Sequence, residues 1–259
     1  MWIRNPQKPK VIVVICNKIV KKNFECKPLQ WDTDYFGVSS ARVSLSGIIY
    51  ENEQEEIIEF CKNYDFVTIS NLDNIKENNY WIGNKTKAFL ADMNIQFIKV
   101  LSDKTYYQGA NTYVVNSLSR NEQIIDIAKK SFNYSRFFND PKLPQEQAKN
   151  IYLHWTECSF EQGNKYFVLS EIEGNVAGYI LYSFNGDSSV IELIAVDEKY
   201  QGQGVGKSLI HTMQSSVIDQ EIKKIKVGTQ VNNISAAQFY SNMGFKYVSC
   251  GSLYHLWRR

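Results

Sequence analysis

Six residues, Gln201–Gly206, form the part of the chain whose composition and spacing best fit a chemical role. They place three glycines between a strand-like run, Val190–Val196, and a helix-like segment in which Leu209, Met213 and Val217 recur every fourth residue. Glycines allow the backbone to approach a ligand closely, and the first amides of the following helix point outward with the positive end of its dipole. The pattern therefore predicts an anion-binding turn between a strand and a helix.

Two familiar phosphate-binding patterns are excluded by spacing. A P-loop, G-x-x-x-x-G-K-[ST], requires its first glycine where Gln201 stands, although Gly206, Lys207 and Ser208 match its end. The dinucleotide fingerprint, G-x-G-x-x-G, requires its third glycine where Lys207 stands. A third pattern, Q/R-x-x-G-x-G/A, matches Gln201–Gly206 in full, whereas a glycine-rich turn without a ligand is the alternative that these six residues leave open.

A second constellation lies further along the chain, in a predicted helix that runs from Asn233 to Met243 and is closed by Gly244. Asn233, Ala236 and Tyr240 occupy neighbouring positions on one face of this helix, so an amide and a phenol can face the same cleft. A phenol with a pKa near 10 is protonated at neutral pH and can act as a general acid. The alternative is a core tyrosine whose hydroxyl is satisfied by a hydrogen bond.

Together the two patterns resemble those of the GNAT superfamily of N-acetyltransferases. The resemblance implies acetyl-CoA as cosubstrate, its pyrophosphate bound at the glycine-rich turn, and Tyr240 as the acid that protonates the departing thiolate. It also implies a set of residues that contact coenzyme A. These are Ile194, Ala195, Val196, Gln201, Gly202, Gln203, Gly204, Val205, Gly206, Lys207 and Asn233.

The order of predicted elements after residue 110 is strand, two helices, three strands, glycine turn, helix, strand, helix and two strands, which is the order of the GNAT fold. We therefore expect an α/β protein with a mixed sheet, in which a smaller α/β domain (1–110) precedes a complete GNAT domain (111–259). The polar segment Ser102–Asn111 is the predicted seam between them. The individual elements predicted include strands at Val11–Ile15, Phe66–Ile69, Phe245–Val248 and Leu253–Trp257, and helices at Glu53–Tyr64 and Gln145–Cys158.

Glu192 is the candidate base that would neutralise the attacking amine. It lies in the strand before the glycine turn, where several GNAT enzymes place a carboxylate. If Ile191 and Leu193 face the core, period-two alternation turns Glu192 to the opposite face. A buried unpaired carboxylate is costly, which favours a functional role. An ion pair with a lysine or arginine is the equally weighted alternative.

The acceptor is suggested by two further segments. Leu29–Gly37, followed by Arg42, resembles the W-D-[ST]-x-x-F-G opening of sugar-nucleotide acetyltransferases of the TDP-fucosamine type, and the Ser135–Phe137 segment resembles their insert. By this resemblance the acceptor is the amine of a TDP-linked amino-deoxy sugar, contacted by Arg136, Trp155 and Trp31. A surface or core role for these three side chains is the alternative. A different small amine, a protein lysine or N-terminus, and a non-catalytic acyl-CoA-binding module are the other functions considered.

Composition excludes several other functions. The net charge is only +2 over 259 residues, and no long basic block predicts a nucleic-acid partner. Five scattered cysteines without C-x-x-C spacing favour reduced thiols in a cytoplasmic protein. His154, His211 and His255 lie far apart, so no metal is expected. No apolar run is long enough to span a membrane, and a homodimer is compatible with the sequence.

Overall fold

A single mixed sheet of ten strands runs through the described part of the protein. The computed structural model describes residues 22–102, 109 and 111–258. The strands follow the order β1-β2-β3-β10-β4-β9-β8-β7-β6-β5 across the sheet. The strands are β1 (Phe24–Pro28), β2 (Ser40–Leu45), β3 (Phe66–Asn71), β4 (Phe89–Val100), β5 (Thr112–Asn116), β6 (Tyr166–Ile172), β7 (Asn175–Asn185), β8 (Ser188–Val196), β9 (Lys224–Gln230) and β10 (Lys246–Trp257).

Helices cover both faces of this sheet. The helices are α1 (Gln30–Phe36), α2 (Glu51–Cys61), α3 (Lys76–Lys85), α4 (Glu122–Ser131), α5 (Gln145–Lys149), α6 (Ile151–Ser159), α7 (Val205–Asp219) and α8 (Ile234–Asn242), with a short 3₁₀ turn at Glu198–Tyr200. The resulting α/β architecture confirms the predicted fold class.

Strand β7 shows how the core is divided between the two faces. Ile180 and Tyr182 pack in one cluster with α7, while Tyr179 and Leu181 pack in another with α4. This is the alternation expected of a central strand that is buried on both sides. Leu209, Met213 and Val217 are all buried in the first cluster, which confirms the predicted inner face of α7.

Strand β4 belongs to the first 110 residues but lies within the sheet of the later part. It pairs antiparallel with β9 on one side and with β10 on the other, so β9 and β10 are not neighbours. Strand β10 in turn pairs with β3. The sheet is therefore continuous across the predicted boundary between residues 110 and 111, and the division into two domains stays a prediction.

Two element predictions were wrong in detail. The helix predicted over Gln145–Cys158 is divided into α5 and α6 at Asn150, whose side-chain amide donates to the Glu146 carbonyl at 2.9 Å and so competes with the backbone. The two final strands are one strand, β10, because Gly251 lies inside it, close enough to β3 that a Cβ would stand 2.9 Å from the Leu72 carbonyl oxygen. The predicted strand Val11–Ile15 and most of the predicted seam lie outside the described residues.

Candidate active site

A cleft of about 870 Å³ opens where β8 and β9 separate. The two strands pair in parallel only from Ser189 to Ile191, opposite Ile225 to Val227, although both continue further. Beyond that point the cleft is lined by residues 192–196 of β8 and residues 228–230 of β9. The edges of these residues that turn away from β7 and β4 therefore face a ligand-sized space, as expected of a binding site in an open sheet.

The glycine-rich turn lies at one end of this cleft. Gly202 and Gly204 have φ values of +74° and +83°, in the left-handed region that favours glycine. A Cβ at either position would meet no atom within 4 Å, so the space above the turn is open. The side-chain amides of Gln201 and Gln203 donate to backbone carbonyl oxygens of the preceding segment, at 3.3 and 2.9 Å, and hold the turn in place.

The first turn of α7 offers unpaired amides to this open space. The earliest backbone hydrogen bond of the helix joins the Ser208 amide to the Gly204 carbonyl, so the amides of Val205, Gly206 and Lys207 have no partner within the helix. There is no acidic residue in that turn. The helix start and the Lys207 charge therefore fit the diphosphate of coenzyme A.

Gly206 has a different role from the other two glycines. A Cβ at this position would stand 3.2 Å from a ring carbon of Phe239 in α8. The third glycine of the motif therefore allows the start of α7 to lie close to α8, whereas Gly202 and Gly204 keep the turn open to a ligand.

We expect Gly204→Ala to weaken binding of acetyl-CoA. An L-residue in the left-handed region costs about 1 to 2 kcal/mol, and the new methyl group would enter the open space above the turn. Gly174→Ala is the matched control, because Gly174 has φ +76° and equally open surroundings but lies in the β6–β7 turn. Both variants should lower the melting temperature similarly, and only Gly204→Ala should raise the Kd for acetyl-CoA by calorimetry. Equal acetyl-CoA affinities in the two variants would contradict this assignment of the turn.

Helix α8 carries the second predicted constellation into the same cleft. The Asn233 side-chain oxygen accepts hydrogen bonds from the Ala236 amide at 3.2 Å and the Ser235 hydroxyl at 3.1 Å, and so caps the helix. Tyr240 lies about two turns further on and also lines the cleft. The role of Asn233 in the structure is thus that of a helix cap at the cleft edge, and its contact with coenzyme A stays a prediction.

The Tyr240 ring is fixed while its hydroxyl is left without a protein partner. The side chain is only 3% exposed and packs against Phe97 and Phe245, with ring centroids 5.8 and 5.7 Å away. Among the described residues its hydroxyl makes no hydrogen bond, and the side chain lines the cleft. Burial raises the pKa of Tyr240 above its ordinary value, so the phenol stays protonated at neutral pH.

Glu192 lies in the cleft wall at an irregularity of β8. Tyr182 pairs with Ile191 and the preceding residue of β7 pairs with Leu193, so Glu192 is an extra, bulged residue. Ile191 and Leu193 consequently pack on opposite faces of the sheet. The expectation that both face one side was wrong, because the bulge interrupts the period-two alternation.

The Glu192 carboxylate is held by three side chains. It accepts from the Lys165 ammonium at 2.6 Å, from the Trp155 indole nitrogen at 3.1 Å and from the Ser183 hydroxyl. The ion pair considered as the alternative to a base is therefore present. A role of Glu192 in proton transfer stays a prediction.

The three predicted acceptor residues lie in different surroundings. Trp155 lines the cleft, whereas Trp31 stacks on Tyr35 and His154 with ring centroids 5.4 Å apart in both pairs. Arg136 is largely buried, and burial lowers its pKa to about 10. Of the three, the structure brings only Trp155 together with Tyr240, Glu192 and the glycine turn.

Several cleft residues were not predicted from sequence. Lys165 and Ser183 hold Glu192, while Asn94 of β4 and Gln230 of β9 face each other across paired strands and line the cleft beside Tyr152. No local pattern marks them, because each reaches the site only through strand pairing between distant segments.

Two searches of the described residues gave negative results. No group of three or more His, Cys, Asp and Glu side chains in that part of the chain is arranged to hold a metal ion. Within the same residues, no helix combines the length and the apolar character that crossing a bilayer requires.

Comparison with known proteins places these features in context. The model of the acetyltransferase (GNAT) family matches residues 122–245. The spore coat polysaccharide biosynthesis protein SpsD of Bacillus subtilis is 28% identical over 136 residues, which are 52% of this chain and 47% of SpsD. The uncharacterized N-acetyltransferase MJ1530 of Methanocaldococcus jannaschii is 32% identical over 81 residues, 31% of this chain and 52% of MJ1530. The chain thus spans about half the length of these curated relatives.

Solved structures share the fold over more of the chain. A GCN5-related N-acetyltransferase from Sphaerobacter thermophilus superposes with a TM-score of 0.59 at 9% identity, covering 92% of this chain and 77% of that protein. A tandem GNAT protein from the clavulanic acid biosynthesis pathway gives a TM-score of 0.53 at 10% identity, covering 84% and 75% of the two chains. At these identities the likeness concerns the fold alone, and it extends into the part of the chain before residue 111.

Proposed function

We propose that this protein, whose residues 122–245 match the model of the GNAT acetyltransferase family, transfers acetyl from acetyl-CoA to the amine of a nucleotide-linked amino-deoxy sugar. The observation that supports transfer is one cleft that contains both the open start of α7 and the unpartnered hydroxyl of Tyr240. The acceptor class is supported by the motifs around Trp31 and Arg136 and by the similarity to SpsD, a protein of polysaccharide biosynthesis.

In this proposal the residues of the chain bind the cosubstrate and take part in proton transfer. Acetyl-CoA supplies the activated acyl group. The amides of residues 205–207 and the Lys207 ammonium bind the diphosphate, and the backbone of Ile194–Val196 with Asn233 orients the rest of the molecule. The neutral amine attacks the acyl carbon, the carbon–nitrogen bond forms as the carbon–sulfur bond breaks, and Tyr240 donates its proton to the departing sulfur. The nitrogen loses one proton to Glu192 or to water as the amide forms, and a proton from solvent restores the Tyr240 phenol. The product is an N-acetylated sugar and free coenzyme A.

The direct test measures thiol release from acetyl-CoA with a panel of amines. TDP-linked 4-amino sugars are expected to support release and to gain one acetyl group by mass spectrometry. Lysine peptides and polyamines serve as comparison acceptors. Release with only those acceptors would replace the proposed substrate class, and release with no amine would favour an acyl-CoA-binding module without catalysis.

The second predicted role concerns Glu192 as the base that accepts the acceptor's proton. We expect Glu192→Gln to remove the low-pH limb of the pH–rate profile, because a base is active only when deprotonated. Lys165→Met is the control, since it breaks the ion pair and keeps the carboxylate. If Glu192 has only a structural role, both variants should lose thermal stability and both should retain the low-pH limb.

A further inference from the structure

Four charged side chains from four separate elements form a group around the buried Arg136 guanidinium. This charge cluster consists of Asp32 of α1, Arg42 of β2, Asp92 of β4 and Arg136 of the loop between α4 and α5. The Arg136 Nη2 atom lies 3.9 Å from Asp32 Oδ2, and Arg42 and Asp92 are close enough to influence the charge of Arg136. Both aspartates are buried, with 7% and 8% of their surface exposed. Charges are rarely buried in such numbers without a specific purpose.

The Arg136 guanidinium is oriented by neutral partners on one edge. Its Nη1 atom donates to the Thr68 hydroxyl at 3.0 Å and lies 3.5 Å from His255 Nε2. His255 Nδ1 is 2.7 Å from Asp140 Oδ2, and burial lowers the His255 pKa, so Nδ1 carries the proton of a neutral ring and Nε2 can accept. The other edge of the guanidinium is thereby directed toward Asp32.

Hydrogen-bonding capacity in the charge cluster is left unused. Within the described part of the chain, Asp32 Oδ2 and Arg42 Nε are buried without a hydrogen-bond partner. Asp92 Oδ1 accepts only from the adjacent Met93 amide. An unpaired buried polar group is costly, and purely structural networks normally satisfy such atoms. Burial also raises the pKa of both aspartates, which reflects the cost of keeping them charged here.

The charge cluster adjoins the cleft through two residues. Asn94 lines the cleft and stands two positions after Asp92 in β4, so the two side chains share one face of the sheet. Tyr152 also lines the cleft, and its phenol lies within the electrostatic influence of Arg136 and Asp92. Asn94 and Tyr152 therefore connect the wall of the cleft to the elements that carry the charge cluster.

We propose that the charge cluster is the recognition subsite of the acceptor, binding an oxyanion on Arg42 and Arg136 and hydroxyl groups on Asp32 and Asp92. Guanidinium groups bind phosphate or carboxylate through paired hydrogen bonds, and carboxylates accept from sugar hydroxyls. This inference rests on the proposed function, because it names the part of the acceptor that the protein recognises. Within that function it assigns a role in acceptor recognition to Asp32, Arg42 and Asp92, none of which lines the cleft.

The test measures binding of TDP to the protein saturated with coenzyme A, by calorimetry. Coenzyme A fills the glycine turn, so the diphosphate probe reports on a second anion site. Arg42→Gln and Arg136→Gln are each expected to raise the Kd of TDP at least tenfold, while the Kd of coenzyme A stays within twofold. Arg120→Gln is the matched control, since Arg120 is an exposed arginine paired with Glu122 and Glu157. Thymidine lacks an oxyanion, whereas glucuronate carries a carboxylate without a nucleoside. Their Kd values therefore show whether the nucleoside or the anion supplies the affinity for TDP.

Arg42→Lys is the conservative control in case the two glutamine variants fail to fold. It keeps the charge beside Asp32 and loses the paired hydrogen bonds, so it should bind coenzyme A normally and TDP weakly. TDP affinity within twofold of the unmodified protein in Arg42→Lys and Arg136→Gln would overturn the proposal, as would failure of both TDP and glucuronate to bind. If TDP binds through Arg42 but no TDP-linked amino sugar is acetylated, the proposed function fails and the subsite stands.

Discussion

Replacing Tyr240 by phenylalanine is expected to lower the turnover number by about 10²- to 10⁴-fold, the usual contribution of a general acid. The substitution removes one oxygen atom and keeps the ring that packs between Phe97 and Phe245. Because the hydroxyl makes no hydrogen bond among the described residues, its removal should leave the fold intact. The expected loss is therefore chemical: the departing thiolate has no proton donor.

Three measurements separate this outcome from a general loss of structure. Thiol release gives the turnover number, calorimetry gives the Kd for acetyl-CoA, and thermal unfolding reports the melting temperature. Tyr247→Phe is the matched control, because that ring also contacts Phe97, at 6.4 Å, but lies on the exposed side of β10. The Tyr240 variant should bind acetyl-CoA within twofold of the unmodified protein. Full activity in this variant would remove Tyr240 from the mechanism.

The geometry of the glycine-rich turn and of α8 was predictable because each part of it is encoded locally. The turn depends on two left-handed glycines and one close-packed glycine within six consecutive residues, all visible as spacing. The Asn233 cap and Tyr240 lie within one short helix, where a 3.6-residue period fixes which side chains share a face. Such features need no knowledge of how distant segments pair.

The proposed acceptor subsite was not predictable to the same degree because its residues come together through long-range pairing. Arg42, Asp92 and Arg136 lie 50 and 44 positions apart in sequence, on β2, on β4 and in the loop between α4 and α5, so no local pattern groups them. The bulge at Glu192 is likewise a property of the β7–β8 register, and the alternation argument failed there. Trp31 and Arg136 were predicted from motifs. A motif does not show which of its residues reach a cleft, and of the three predicted acceptor residues Trp155 alone lines it.

The position of β4 between β9 and β10 leads to a prediction about folding. Residues 111–259 expressed alone are expected not to fold, although the sequence predicts a complete domain there. Without β4, the facing edges of β9 and β10 lose their hydrogen-bonding partner, which pairs with β9 from Asn94 to Val100. Phe97, buried against Tyr240, is lost with it. Unpaired strand edges and an opened core favour aggregation over a native monomer.

Two further experiments with fragments test this expectation. Residues 86–259 retain β4 and should recover part of the helical and strand signal in circular dichroism, while the β10 edge that pairs with β3 stays open. Coexpressed 1–110 and 111–259 should copurify, bind acetyl-CoA and unfold in one transition, because together they restore every strand neighbour in the sheet. A soluble, cooperatively unfolding 111–259 fragment that binds acetyl-CoA would show that β4 is dispensable. In that case the predicted boundary would separate two independent folding units, and the continuous sheet would be a docking arrangement between them.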